Sequence, residues 1–297
     1  MIVLFTYMIL GFYGSRKGVL DARSGKTLSW IVVEVANPAL MINSAVNGES
    51  RIADSELLTA AVIAVVMYAV LILLAQIIPV IFRVPKQEIG TYKLMTMFNN
   101  IGFMGFPVIA AAFGSGALLY ASVFSLMFNL VAYTYGILLV DPKAAKEGFH
   151  WKNLLNMGVI SCVIAVVLYL SELPVPDFFK TVVSGLGGVT GPLSMMVIGI
   201  SLSFMDLKDL FLDVKLLVYA AVKLLLIPVV GTLIIGHIID NELLVAVCMV
   251  MLATPVASMV AMLSQQYDHN VELASKGVAL TTVLSVVTIP LVSAIVL

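Results

Sequence analysis

Apolar residues fill this chain in ten long stretches, separated by short polar punctuation. Read between the punctuation, the stretches predict membrane-spanning helices near 1–15, 27–46, 56–82, 90–113, 117–140, 152–171, 178–204, 214–238, 242–266 and 272–297. A helix needs about 20 apolar residues to cross a bilayer, and all but the first come close to that length or exceed it. The short first span either packs inside the bundle or belongs to a longer natural start. It follows no basic leader and no small-residue cleavage site, so it does not read as a removable signal.

Composition supports the same picture. Hydrophobic residues make up 61% of the chain and charged residues 11%, and the mean hydropathy is +1.11. A soluble domain of 297 residues cannot cover that much apolar surface, so lipid must be part of the solvent. A formal net charge of −1 gives no basis for nucleic-acid binding. Cys162 and Cys248 both lie in apolar stretches without metal spacing and read as packed thiols.

The basic residues give an orientation. Arg16, Lys17, Arg23 and Lys26 follow span one. Arg83, Lys86 and Lys93 surround the third connection, Lys143, Lys146 and Lys152 the fifth, Lys208 and Lys215 the seventh, and Lys276 the ninth. The even-numbered connections hold only Arg51 and Lys180. This bias makes the odd connections cytoplasmic and turns both termini outward.

The two halves read as repeats. Asn37-Pro38 in span two is matched by Gly191-Pro192 in span seven, and Pro107 in span four by Pro255 in span nine. The organisation expected is a first five-helix repeat over 1–140, a short cytoplasmic connection over 141–151 and a second repeat over 152–297. Five spans is an odd number, so the second repeat enters from the opposite side, as in many secondary transporters. The fold expected is an all-α polytopic bundle with spans four and nine broken.

The strongest local signal is Phe98-Asn99-Asn100-Ile101-Gly102-Phe103-Met104-Gly105-Phe106-Pro107. Two carboxamides, two glycines and a proline suit a lipid-facing helix poorly, because proline lacks an N–H and clashes with the preceding turn. Irregular backbone at membrane depth needs protein or a wet cavity to satisfy it. Asn100 is about 15 Å down its span at 1.5 Å per residue. Span nine repeats the device in Ala253-Thr254-Pro255-Val256-Ala257-Ser258. Proline favours the first turn of a helix, so Pro107 and Pro255 are each expected to begin a second half-helix. Helix starts meeting at the midplane would favour an anion, with Asn99, Asn100, Gly102, Gly105, Pro107, Thr254, Pro255 and Ser258 as the candidate binding set. Asn129 and Tyr133, four residues apart, share a face of span five and join that set as cavity lining or as interhelical glue.

Two charges stand inside spans. Glu34 and Lys223 are each about 12 Å from the same membrane face. An ionisable group there must be paired, wetted or snorkelling. They are expected to pair with each other, or Lys223 to snorkel, or Glu34 to take up a coupling proton. His150, His237 and His269 form no metal pattern, and Asp240 and Glu242 read as a solvated outer loop. No P-loop, no nucleophile–base arrangement and no zinc motif is present, so neither an enzyme nor a cofactor is expected.

At these residues the chain resembles the auxin efflux carrier family, including its bacterial malate-permease-like members. Asn100 to Pro107 is similar to the family's N-T-x-x-M/L-G-x-P element. Thr254-Pro255, Gln265-Gln266-Tyr267-Asp268 and Glu272 to Val278 resemble its ninth and tenth spans, Gly11 with Arg16-Lys17-Gly18-Val19-Leu20 its opening, and Leu224 to Pro228 its eighth span. The resemblance implies ten spans in two inverted repeats, with the prolines of spans four and nine at a crossing. It implies substrate contacts at Asn100, Pro107, Pro255, Asn129 and Tyr133. It also implies elevator-like movement against a scaffold of spans one, two, six and seven, and a homodimer through that scaffold. The long central loop of plant members is absent, leaving only residues 141–152.

The function expected is a plasma-membrane carrier of small organic anions such as dicarboxylates or auxin-like carboxylates. The alternatives are a proton- or sodium-coupled antiporter and a membrane module that senses a solute without moving it.

Overall fold

The computed structural model describes residues 2–47, 53–114, 116–140, 157–171, 174–204, 211–267 and 269–297. Its helices are α1 (Ile2–Arg16), α2 (Ala22–Val46), α3 (Asp54–Ile81), α4 (Ile89–Met97), α5 (Ile101–Phe113) and α6 (Ala117–Gly136). They continue as α7 (Met157–Ser171), α8 (Asp177–Ser203), α9 (Val214–Ile238), α10 (Glu242–Ala253), α11 (Ser258–Gln266) and α12 (Val271–Val296). By length and composition α2, α3, α6, α8, α9 and α12 can each cross a membrane, and α5, α7 and α10 are shorter apolar helices. The protein is an all-helical, multi-pass membrane protein. The connection expected over 141–151 lies outside the described residues.

Side chains set several helix starts. Asp21 accepts from the Ser24 backbone N–H at 2.7 Å ahead of α2, and its hydrogen bonds to Ser24 hold the carboxyl below its usual range. Asp213 does the same for Leu216 at the head of α9, and Asn241 for Leu244 at α10. Each satisfies a donor that the helix itself leaves orphaned.

Proline acts differently than the sequence suggests. Wide π-type turns occupy Val32–Ala36 in α2, Ile101–Gly105 in α5, Ala132–Gly136 in α6 and Val222–Leu226 in α9. Three of the four lead directly into a proline near the start of the next α-helical stretch: Pro38, Pro107 and Pro228. Proline cannot donate, and its ring presses on the carbonyl four residues back. Widening the turn by one residue relieves that contact while the helix stays wound. The expectation that Pro107 begins a half-helix is therefore corrected: the interruption is at Phe98–Asn100, and Pro107 lies inside α5. In span nine the interruption is at Thr254–Ala257, with Pro255 inside it.

The helices pack as two groups. In one, α1 lies against α8, and α2 against α7 and α8. The α1–α8 contact is backbone to backbone. A Cβ on Gly199 would sit 2.0 Å from the Met8 carbonyl oxygen, and one on Gly11 2.2 Å from that of Met196. Small residues permit this approach, which replaces the hydrophobic drive that lipid cannot supply. The second group holds α3, α4, α5, α6, α9, α10, α11 and α12. The groups meet where α6 touches α2 and α7, and where α5 touches α8.

Candidate functional site

The two interruptions pair with each other. Asn99 and Val256 form an isolated antiparallel bridge, the only extended pairing among the described residues. The Asn100 N–H donates to the Pro255 carbonyl at 2.7 Å, and the Ala257 N–H donates to Phe98 at 2.9 Å. Backbone groups freed by the breaks therefore satisfy one another across the crossing, as burial in an apolar medium requires. Val256 N–H finds the Thr281 hydroxyl on α12 at 3.1 Å.

On one side of the crossing α5 and α11 begin. The side-chain oxygen of Asn100 accepts from the Phe103 N–H at 3.3 Å, capping α5. Its amide nitrogen reaches the Ser258 hydroxyl at a long 3.5 Å. A cavity of about 170 Å³ opens here. Its walls include Asn99, Asn100, Gly102, Asn129 and Ser258 from the expected set. Ser125, Ser161 and Asn37 add polar groups, and Phe103, Phe106 and Phe128 form apolar wall. Asn129 donates to the Ser125 carbonyl at 2.8 Å one turn back. The side-chain oxygen of Asn37 is buried without a hydrogen-bond partner. Among the described residues no charged side chain lines the cavity.

The remaining expected residues are placed less directly. Gly105 packs on Ile101 and Thr254 and does not line the cavity. Thr254 is buried and turns its hydroxyl back to the Met251 carbonyl. Pro255 contributes its carbonyl to the crossing. Pro107 is buried near Gly191 of α8, where the two helix groups meet. The side chain of Tyr133 lies outside the described residues.

On the other side α4 and α10 end, and Lys223 stands there, fully buried. Its ammonium donates to the Thr96 carbonyl at 2.7 Å and to the side-chain oxygen of Asn99. Asn99 in turn donates to the Met251 carbonyl and, at 3.1 Å, to that of Leu252. The expected pairing of Lys223 with Glu34, and the alternative of snorkelling, are both corrected. Its partners are a helix end and an amide, and it is fully buried. Glu34 is half-buried on the wide turn of α2, beside cavity-lining Val33, with no hydrogen bond or ion pair among the described residues.

Sequence reasoning missed Asn37, Ser125 and Ser161 as lining. Asn37-Pro38 was legible as a repeat landmark, and a carboxamide beside a helix-distorting proline was the available signal. Ser125 and Ser161 give none, since isolated serines occur throughout apolar helices. A larger hollow of about 330 Å³ lies between α3, α6 and α7. Its walls are residues such as Ala64, Val123 and Met127. Lacking any polar lining, it offers nothing to a polar solute, and the smaller cavity is the candidate site.

The model of the membrane transport protein family matches residues 1–293. An uncharacterized transporter of Methanothermobacter thermautotrophicus is 26% identical over 97% of this chain and 94% of its own length. An uncharacterized transporter of Methanocaldococcus jannaschii is 24% identical over 98% of this chain and 96% of its own.

Proposed function

Because the chain belongs to the membrane transport protein family, the family of the auxin efflux carriers and one of transporters, not enzymes, we propose that it is a secondary carrier of small organic anions. The observation that carries this reading is the cavity at which α5 and α11 both begin, walled by neutral amides and hydroxyls. A helix start holds orphan N–H groups and a partial charge of roughly +0.5. Two starts at one cavity favour a single negative charge, and Asn100, Asn129 and Ser258 supply hydrogen bonds that fix its orientation. The cavity's volume of about 170 Å³ suits a small acid, since pockets for drug-sized ligands measure roughly 300–1,000 Å³.

The carrier has ten spans in two inverted five-helix repeats, with α4–α5 and α10–α11 as the broken pair. The antiparallel bridge between their extended segments supports this, because inverted repeats run in opposite directions. Alternating access is of elevator type, the group containing the crossing moving against α1, α2, α7 and α8. That division of packing supports the movement, and the close α1–α8 contact supports a rigid frame. The frame also provides the surface of a homodimer. The protein resides in the plasma membrane with both termini outward.

Uptake by purified protein in liposomes tests the reading, using radiolabelled malate, other dicarboxylates and aromatic monocarboxylates. Asn100→Ala is expected to lower organic-acid flux more than about tenfold, which corresponds to about 1.4 kcal/mol. Unchanged flux would overturn the site assignment. Binding without counterflow would instead point to a sensing module. A proton-coupled antiporter is a second reading, favoured by half-buried Glu34 next to the cavity wall. It predicts that Glu34→Gln removes the response of flux to an imposed pH gradient.

A further inference from the structure

Lys223 does not line the cavity, yet it is the one buried charged side chain among the described residues. It projects from the wide turn Val222–Leu226 of α9. Thr96, whose carbonyl it binds, is in the last turn of α4. Met251 and Leu252, whose carbonyls it reaches through Asn99, are in the last turn of α10. These are the orphan carbonyls that every helix end leaves unpaired. Each helix end carries roughly −0.5 of an elementary charge, so two of them together balance one ammonium. Among the described residues no carboxylate forms an ion pair with Lys223. Tyr219, one turn earlier on α9, places its hydroxyl 3.4 Å from that of Thr96 and closes the same face.

We infer that Lys223 is a resident cation of the carrier, fixed where two negative helix ends meet, so that transport requires no sodium or other inorganic cation at the crossing. Without such a side chain the carbonyls on this face would lack a donor at membrane depth, where each unsatisfied group is costly. Here the chain supplies that donor covalently. Lys223 is a positioning residue: through Asn99 it sets the bridge from which Asn100 and α5 approach the cavity. The inference rests on the carrier reading only for its statement about transport; the charge balance stands on the geometry alone.

The experiment is a melting series on detergent-purified protein at equal ionic strength in sodium, potassium, choline and propylammonium chloride. The wild type is expected to melt at the same temperature in all four salts. Lys223→Ala is expected to melt several degrees lower in choline and to recover part of the loss in propylammonium, which fits the vacated space. Lys223→Met fills that space and is expected to show the loss without the recovery. Specific stabilisation of the wild type by sodium would overturn the inference. So would a Lys223→Ala variant that melts like the wild type, or one that no small cation restores. Should the variants not fold, the wild-type series still decides, together with malate uptake in sodium and in choline media. Equal uptake supports the inference, and a strict sodium requirement overturns it. Absence of uptake in both media counts against the carrier reading, while the melting series continues to judge Lys223.

Discussion

The two sides of the crossing are made from the same material, interrupted helices, and are finished in opposite ways. On the side where α4 and α10 end, the negative carbonyl ends are closed by the chain's own ammonium and an amide, with no exposure to solvent. On the side where α5 and α11 begin, the positive ends face a cavity that has no charged lining among the described residues. Electrostatics asks for a counter-charge at both. The chain builds one in on the closed side and omits it on the open one. Asn99 and Asn100, adjacent in sequence, are divided between these tasks: Asn99 ties the fixed side together and Asn100 caps the open one.

That division is most easily broken at Asn99. Asn99→Ala leaves a buried ammonium short of one acceptor and removes a donor from two carbonyls at the end of α10, of which Met251 keeps the Thr254 hydroxyl. Hydrogen bonds to charged groups are worth about 1.5–3 kcal/mol, and unsatisfied buried groups cost a similar amount. The expected loss is therefore about 3 kcal/mol or more, read as a lower melting temperature or a collapse in the yield of folded protein. If Asn99→Ala were as stable as the wild type and only transport suffered, the two sides would not differ as described. A sharper contrast comes from Asn100→Asp. Aspartate caps a helix as well as asparagine does, so stability is expected to stay within about 1 kcal/mol. Its carboxylate, however, installs a permanent anion at the open side, the mirror of Lys223. Binding of organic acids, measured by their effect on melting temperature, is expected to vanish together with flux. Retained binding would mean that the cavity does not select for negative charge.

Much of this was legible from the sequence. The apolar stretches, the doubled asparagines and the Thr254–Ser258 element all mark the places where the chain departs from a plain lipid-facing helix. The location of the first break was not, and the reason is physical. Proline is accommodated here by interruption, by a wide turn, or within a regular helix as at Pro79 and Pro290, and its sequence signature is the same for all three. Pro38, Pro107 and Pro228 take the second way, whereas Pro255 lies in an extended segment. The partners of Lys223 were hidden for a different reason. Backbone carbonyls at a helix end leave no mark in the residue types, so a search for a charged partner pointed to Glu34, which lies in the other helix group. Asn37 was visible, but nothing in the sequence says that it comes beside Gly102 at the cavity wall.

The smallest expected effects test whether the prolines or the asparagines organise the crossing. Pro107→Ala restores a donor in α5 and removes the ring that the wide turn accommodates, without touching the bridge between Asn99 and Val256. Stability is expected to change by less than about 1 kcal/mol, since proline substitutions at tolerant sites act largely through the unfolded chain. Flux is expected to stay close to the wild-type value. Pro255→Ala keeps the carbonyl that receives the Asn100 N–H, and alanine tolerates the same extended backbone, so the bridge persists at a similarly small cost. Both variants are read by melting temperature and malate uptake beside Asn100→Ala. A folded Pro107→Ala protein that no longer transported would show that the wide turn of α5, which borders the cavity at Gly102 and Phe103, is itself part of the site. The open side would then owe its geometry to helix winding as well as to the cap at Asn100.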